Sequence, residues 1–206
     1  MDFVKMLPLA FVMVAGPQII SAFFFATSPS WKKVSAAYVL GAAVSITLVV
    51  SAAYLLAKGT DIGGDEGDSG LNTLDYVVLG LLVVAAFFTF RSREQTEPPK
   101  WMGKLQGASP KATLVLGFLL LGFFPSDLVT SVSVGSYLAN HGDSWWEALP
   151  FVLLALLFLA LPALLVAALG SRAQTFLPKV RDWMNTNSWI VSEAVIVLFV
   201  VIILSG

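Results

Sequence analysis

The side chains in this chain that could do chemistry are few, and most of them stand together in the run Phe124-Pro125-Ser126-Asp127-Leu128-Val129-Thr130-Ser131. Pro125 lacks a backbone donor and clashes with the preceding turn, so an apolar helix running through it should kink or break there. A helix restarting at Pro125 places Asp127 at its third position, where a carboxylate caps free amides and answers the helix dipole. An acid in mid-membrane also costs roughly 2.5–3.5 kcal/mol on insertion scales, which makes it a functional candidate, here as a proton-coupling group. The two roles are compatible. Asp127, Thr130, Ser131 and Val134 share one helical face, predicted to point inward. A second interruption, Gly16-Pro17-Gln18, sits in the middle of the first apolar segment, with Ser21 one turn further on. The candidate substrate- or ion-binding set is therefore Pro17, Gln18, Ser21, Pro125, Ser126, Asp127, Thr130 and Ser131. Glu193 is a further acid in an apolar stretch, either a second coupling group or a shallow side chain that snorkels towards Lys179 or Arg181.

The rest of the usual repertoire is missing. There is no cysteine and one histidine, His141, which excludes thiol chemistry and conventional zinc or haem clusters. His141, between Asn140 and Gly142, reads as a turn residue. A net charge of −1 gives no electrostatic case for nucleic acid. The acids Asp61, Asp65, Glu66 and Asp68 lie in a glycine-rich stretch without a calcium loop's spaced ligands, and read as a solvated hairpin. No nucleophile–base pair and no nucleotide-binding motif stands out. The expectation is a non-enzyme without a cofactor or metal.

The elements that must position these residues are membrane helices. Hydrophobic residues make up 57% of the 206 and charged residues 12%, about half the charge a soluble domain carries. A helix crosses the hydrocarbon core with about 20 apolar residues. Six segments qualify or nearly do: Met6–Ser28, Val34–Ala57, Leu74–Phe90, Ala112–Ala139, Ala148–Gly170 and Asn187–Ser205. The first is read as retained rather than cleaved, because Asp2 sits where a signal peptide is positive and the apolar run continues past Pro17. With the N-terminus outside, all of the 12 basic residues except Lys5 and Lys58 fall in inner loops, so both termini are predicted outside. Trp31, Trp101, Trp183 and Trp189 then mark the inner interface, and Trp145 and Trp146 the outer one. Phe176, Leu177, Val180, Trp183 and Met184 recur at helical spacing among basic residues, as in a short interfacial helix, and Pro99–Leu105 has the makings of another, although plain positive-inside anchors are the simpler reading of both. Gly41-x-x-x-Ser45 is a small-residue packing face, within the chain or between copies.

Three spans in each half force the halves to insert in opposite senses. The expected fold is all-α and integral to the membrane, with six transmembrane helices as two inverted three-helix repeats in which helices 1 and 4 are broken by proline. Residues 1–206 form a single membrane domain, divided into a first repeat (1–91), a cytoplasmic linker (92–110) and a second repeat (111–206). Paired interruptions in two inverted halves point to a midplane transport site. The third and fifth spans, poor in polar residues, read as outer helices facing lipid.

These motifs resemble a known family. Leu7-Pro8-Leu9-Ala10, Gly16-Pro17-Gln18-Ile19-Ile20 and Ser35-Ala36-Ala37-Tyr38-Val39-Leu40-Gly41 look like its first repeat. Pro99-Lys100-Trp101-Met102, then Pro110 leading into Gly117–Asp127, look like the start of its second. The family is the GAP group of actinobacterial membrane proteins, the glycolipid- or sulfolipid-addressing proteins, placed in the lysine-exporter superfamily. The resemblance implies an exporter-type fold, a homodimer in the cytoplasmic membrane of an actinobacterium, and a part in glycolipid translocation. One departure is clear: where the family's second break often reads Asn-Pro-Lys-Asn, this chain has Phe124-Pro125-Ser126-Asp127, an acid in place of basic and amide groups.

Three functions follow. The first is a transporter taking part in glycolipid export, its substrate held between the two breaks and driven by an ion gradient or a partner. The second is a small-molecule exporter, for amino acids or similar compounds, on the same fold. The third is a non-transporting scaffold of a lipid-export machinery, which would tolerate neutral substitution at Asp127. Membrane lipids are partners in all three.

Overall fold

The computed structural model describes residues 9–59 apart from 12 and 15, residue 105, and residues 107–187. The third and sixth predicted segments, the acidic hairpin, Glu193 and all of the Pro99–Leu105 segment but Leu105 lie outside the described residues. Within the described residues every regular element is helical: α1 (Pro17–Ala26), α2 (Trp31–Gly59), α3 (Pro110–Phe123), α4 (Pro125–Asn140), a 3-10 turn (Trp145–Ala148), α5 (Leu149–Leu169) and α6 (Ser171–Thr186). The residues just before α1, 9–11, 13 and 14, are helical as well.

Helix α2 has 29 residues and no proline. At 1.5 Å per residue it is about 43 Å long, more than the roughly 30 Å hydrocarbon core. By length and composition α2 and the stretch Trp145–Leu169 can each cross a membrane, and α3 with α4 makes a third span if the bent pair is one. The first predicted segment is interrupted at Gly16 and leaves α1 with 10 residues. Leu40, Val44 and Leu48 on α2, and Leu153, Leu157, Leu161 and Leu164 on α5, are exposed at one-turn spacing, and Leu55 lies two turns beyond Leu48. Such apolar stripes suit lipid, not water.

Starts and stops follow local chemistry. Ser109 caps α3, its side chain accepting from the Ala112 amide at 3.3 Å, with Pro110 at the first helical position. The chain between α5 and α6 turns at Gly170, whose φ of 55° suits a residue without a Cβ. His141 is the turn residue expected. Its Nδ1 lies 2.9 Å from the Tyr137 carbonyl and its ring stacks on Tyr137 at 3.9 Å.

The core is built on α2 lying against α3 and α4. A methyl group at Gly41 would collide with the Leu114 carbonyl, and one at Gly117 with the Tyr38 carbonyl. Further along, Gly122 faces the Ser45 hydroxyl and Gly135 faces the Val50 carbonyl. The Ser45 hydroxyl donates to the Phe118 carbonyl at 2.7 Å. Glycine at these positions lets the backbones approach, as in membrane helix pairs generally. The Gly41-x-x-x-Ser45 face therefore packs inside the chain. Residue numbers rise together across this contact, so α2 runs in the same direction as α3 and α4.

Helix α5 does not lie wholly outside the bundle. Phe151, Val152, Ala155, Leu159, Pro162 and Val166 are buried against its neighbours, while its other face is exposed. The segment predicted as an interfacial helix is helical, within α6. Its apolar residues do not form one face against a single environment, however. Leu177 packs with Ala173 against Val166 and Phe23, whereas Phe176 and Trp183 are exposed.

Candidate functional site

Both predicted interruptions exist, and they meet. Gly16 precedes α1 with φ 133° and ψ −148°, a conformation closed to residues with a Cβ. A Cβ there would also approach within 2.9 Å of Gln18 Oε1. At the other break Phe124 takes φ −69° and ψ 131°, the extended conformation favoured before proline. The axes of α3 and α4 are bent by 65° there.

Gln18 is the second residue of α1 and Asp127 the third of α4, and both are fully buried. Gln18 Nε2 donates to Asp127 Oδ2 at 2.6 Å. Hydrogen bonds to a charged carboxylate are short and about twice as strong as neutral ones. The other carboxylate oxygen, Oδ1, accepts from the Ser126 hydroxyl at 3.1 Å. Ser126 is exposed, so one residue separates the buried acid from the outer surface of the fold. These two side-chain donors, rather than the backbone amides of a capping arrangement, are what the carboxylate binds. The Asp127 amide itself donates to the Phe124 carbonyl at 3.1 Å.

The remaining candidates surround this pair in different ways. The Ser21 hydroxyl donates to the Pro17 carbonyl at 2.7 Å and Thr130 Oγ1 to the Ser126 carbonyl at 2.8 Å. Each serves its own helix, taking up a carbonyl of the first turn. Ser131 is fully buried one turn beyond Asp127, and its hydroxyl has no partner. Gln18 Oε1 is likewise buried without a partner. Pro17 is half-buried and Pro125 exposed; their part is to end and restart the helices. The inward face of α4 is the predicted one, with Asp127, Thr130, Ser131 and Val134 buried, and it continues through Gly135 and Leu138. Ser133 on the same helix is exposed.

One residue of the site was not singled out from sequence. Tyr38 on α2 is buried, packs its ring on Phe25 at 5.0 Å, and donates its hydroxyl to the Gln18 carbonyl at 3.0 Å. It ties the first break to the long helix that also holds the second. The available signal was a tyrosine one turn before Gly41 in an apolar run, since a buried phenol needs an acceptor. Among the described residues no group of three or more His, Cys, Asp or Glu could hold a metal ion.

The arrangement is thus a buried amide–carboxylate pair that fastens two helix ends to each other. A carboxylate in such a pair is a group able to take up a proton or a cation. Residues 6–206 match the family model described as Sap, sulfolipid-1-addressing protein. No curated protein and no solved structure matches the chain.

Proposed function

The chain belongs to the sulfolipid-1-addressing protein family, and on that premise we propose that this membrane protein is a transporter taking part in glycolipid translocation across the cytoplasmic membrane. The observation that carries the reading is the buried Gln18–Asp127 hydrogen bond, which joins the two helix breaks across 109 residues of chain. Interrupted helices that meet inside a membrane protein, with a carboxylate at the junction, are the usual architecture of a coupled transport site. A purely structural junction could be fastened by a neutral pair, without the cost of burying an acid.

The wider architecture we propose is the six-span inverted repeat. Helix α2 runs in the same direction as α3 and α4, so if both cross the membrane the chain between them must cross back. Leu74–Phe90, the short third apolar segment, is the candidate to do so. The basic residues then place the inner loops and set both termini outside. Substrate would move along the junction of the two repeats, and reorganisation of the Gln18–Asp127 contact would couple that movement to an ion gradient. A homodimer and contact with a larger lipid-export machinery belong to the same proposal.

The test is a lipid comparison in the native host. The gene is deleted, then restored as wild type and as Asp127→Asn, and surface-extractable glycolipid is measured against the cell total. The expected result is a fall in surface glycolipid with an unchanged total, rescued by wild type and not by Asp127→Asn. Full rescue by Asp127→Asn would favour a scaffold over a coupled transporter. An unchanged lipid distribution on deletion would remove the glycolipid assignment.

A further inference from the structure

The carboxylate of Asp127 is held by two donors, yet two oxygen atoms close to it in the fold are left without any. Gln18 turns Nε2 towards Asp127 Oδ2, the orientation that gives an ionised carboxylate a donor. That choice leaves Gln18 Oε1 buried and unpartnered beside the Gly16 break. Ser131, one helical turn past Asp127 on the same buried face, leaves Oγ unpartnered as well. It does so although Thr130, its neighbour, bonds back to the carbonyl four residues earlier. Buried oxygens in native proteins are nearly always satisfied; of the four that are not among the described residues, with Ser28 and Ser35, these two belong to residues beside one acid.

Gln18 Oε1 accepts hydrogen bonds and cannot donate them, and the ionised Asp127 carboxylate is also an acceptor. What satisfies acceptors crowded together is positive charge. Gln18, Asp127 and Ser131 are each 0% exposed, so a ligand held among them can be no larger than a single small ion. Asp127 is also the one buried charged residue among those described. A single carboxylate with neutral oxygen donors balances a monovalent ion, whereas a divalent ion would leave a net charge in an apolar surrounding. Hard oxygen ligands without nitrogen or sulfur suit alkali metals rather than transition metals. The exposed Ser126, bonded to Oδ1, supplies a polar step from the surface to the acid.

We propose that Asp127, Gln18 Oε1 and Ser131 Oγ form a binding site for a monovalent alkali cation, sodium or potassium. The inference rests on the transport reading above and names the ion class that would drive it.

The experiment is thermal unfolding of the purified full chain in detergent, titrated with sodium chloride, potassium chloride or choline chloride at equal ionic strength. Sodium or potassium should raise Tm in a saturable way that choline does not reproduce. Asp127→Asn should abolish the rise, and Ser131→Ala should raise the half-saturating concentration about tenfold, the usual scale for losing a supporting group at a metal site. Equal behaviour in all three salts, or an alkali effect that survives Asp127→Asn, would overturn the proposal. So would calcium chloride raising Tm more than sodium chloride does. If Asp127→Asn does not fold, Ser131→Ala decides, since an unchanged half-saturating concentration there is equally fatal. The two readings separate cleanly. Alkali binding without a lipid phenotype leaves the site and removes the glycolipid function; a lipid phenotype without alkali binding does the reverse.

Discussion

The two helix breaks perform the same operation with different means. At the first, the backbone itself is unusual: Gly16 sits at φ 133°, and the space a Cβ would need is taken by Gln18 Oε1. At the second, Phe124 is in an ordinary extended conformation and the change of direction is a 65° bend between two well-formed helices. The first break contributes a neutral amide to the junction and the second a carboxylate and a hydroxyl. A strained glycine tolerates no neighbour but itself, whereas an extended residue before proline is open to exchange. The division teaches where such a protein is free to change. On backbone grounds alone, a substitution at Phe124 should be tolerated better than one at Gly16.

The comparison breaks most directly if the amide and the carboxylate are not a unit. Replacing Gln18 by leucine leaves the buried carboxylate with the Ser126 hydroxyl as its remaining side-chain donor. Hydrogen bonds to charged groups contribute about 1.5–3 kcal/mol, and losing one here should destabilise the protein by about that amount. The double variant Gln18→Leu/Asp127→Leu should be less destabilised than Gln18→Leu alone, because two apolar partners leave nothing unsatisfied. Chemical or thermal unfolding of the purified variants measures both. Additive losses would mean that the two breaks do not depend on each other through this contact.

The backbone half of the comparison has a smaller expected effect. Gly16→Ala forces a Cβ into a disfavoured conformation and against Gln18 Oε1, at a cost of about 1–3 kcal/mol. Phe124→Ala changes a partly exposed residue in a conformation open to any side chain and should cost under about 1 kcal/mol. The difference in Tm between the two variants reads the asymmetry. If Phe124→Ala proves the more damaging, packing of the Phe124 ring rather than backbone strain governs the breaks.

Much of this was legible before any coordinates, and the reason is physical. Proline in an apolar helix removes a donor, and at Pro17 and Pro125 the expected interruption is present, whereas α5 continues through Pro162. The inward face of α4 followed from helical spacing alone, since Asp127, Thr130, Ser131 and Val134 lie one turn apart. What could not be read was pairing across the chain. Spacing within α1 and within α4 does not say that Gln18 reaches Asp127 rather than a neighbour on its own helix. Nor does it say that Gly41 and Gly117 each take up a carbonyl of the opposite helix. Asp127 does stand in the first turn of α4, as expected, but its oxygens accept from Gln18 and Ser126 rather than from local amides. Tyr38 escaped notice because its hydroxyl serves a backbone carbonyl, for which residue type carries no signal.

Tyr38 also gives the mildest way to sharpen the comparison. Its hydroxyl holds the Gln18 carbonyl from α2, and Ser45 on the same helix holds the Phe118 carbonyl from the other side. Helix α2 is therefore the common reference for both breaks, and the Gln18 side chain is positioned through its backbone. Tyr38→Phe keeps the ring on Phe25 and removes the single hydrogen bond, at a cost of about 1 kcal/mol. If α2 orients the amide, the double variant with Gln18→Leu should lose little more than Gln18→Leu alone, because the group being oriented is already gone. Strictly additive losses would reduce Tyr38 to a core residue with a satisfied hydroxyl. A shortfall from additivity would make the long helix the element through which a change at one break is felt at the other.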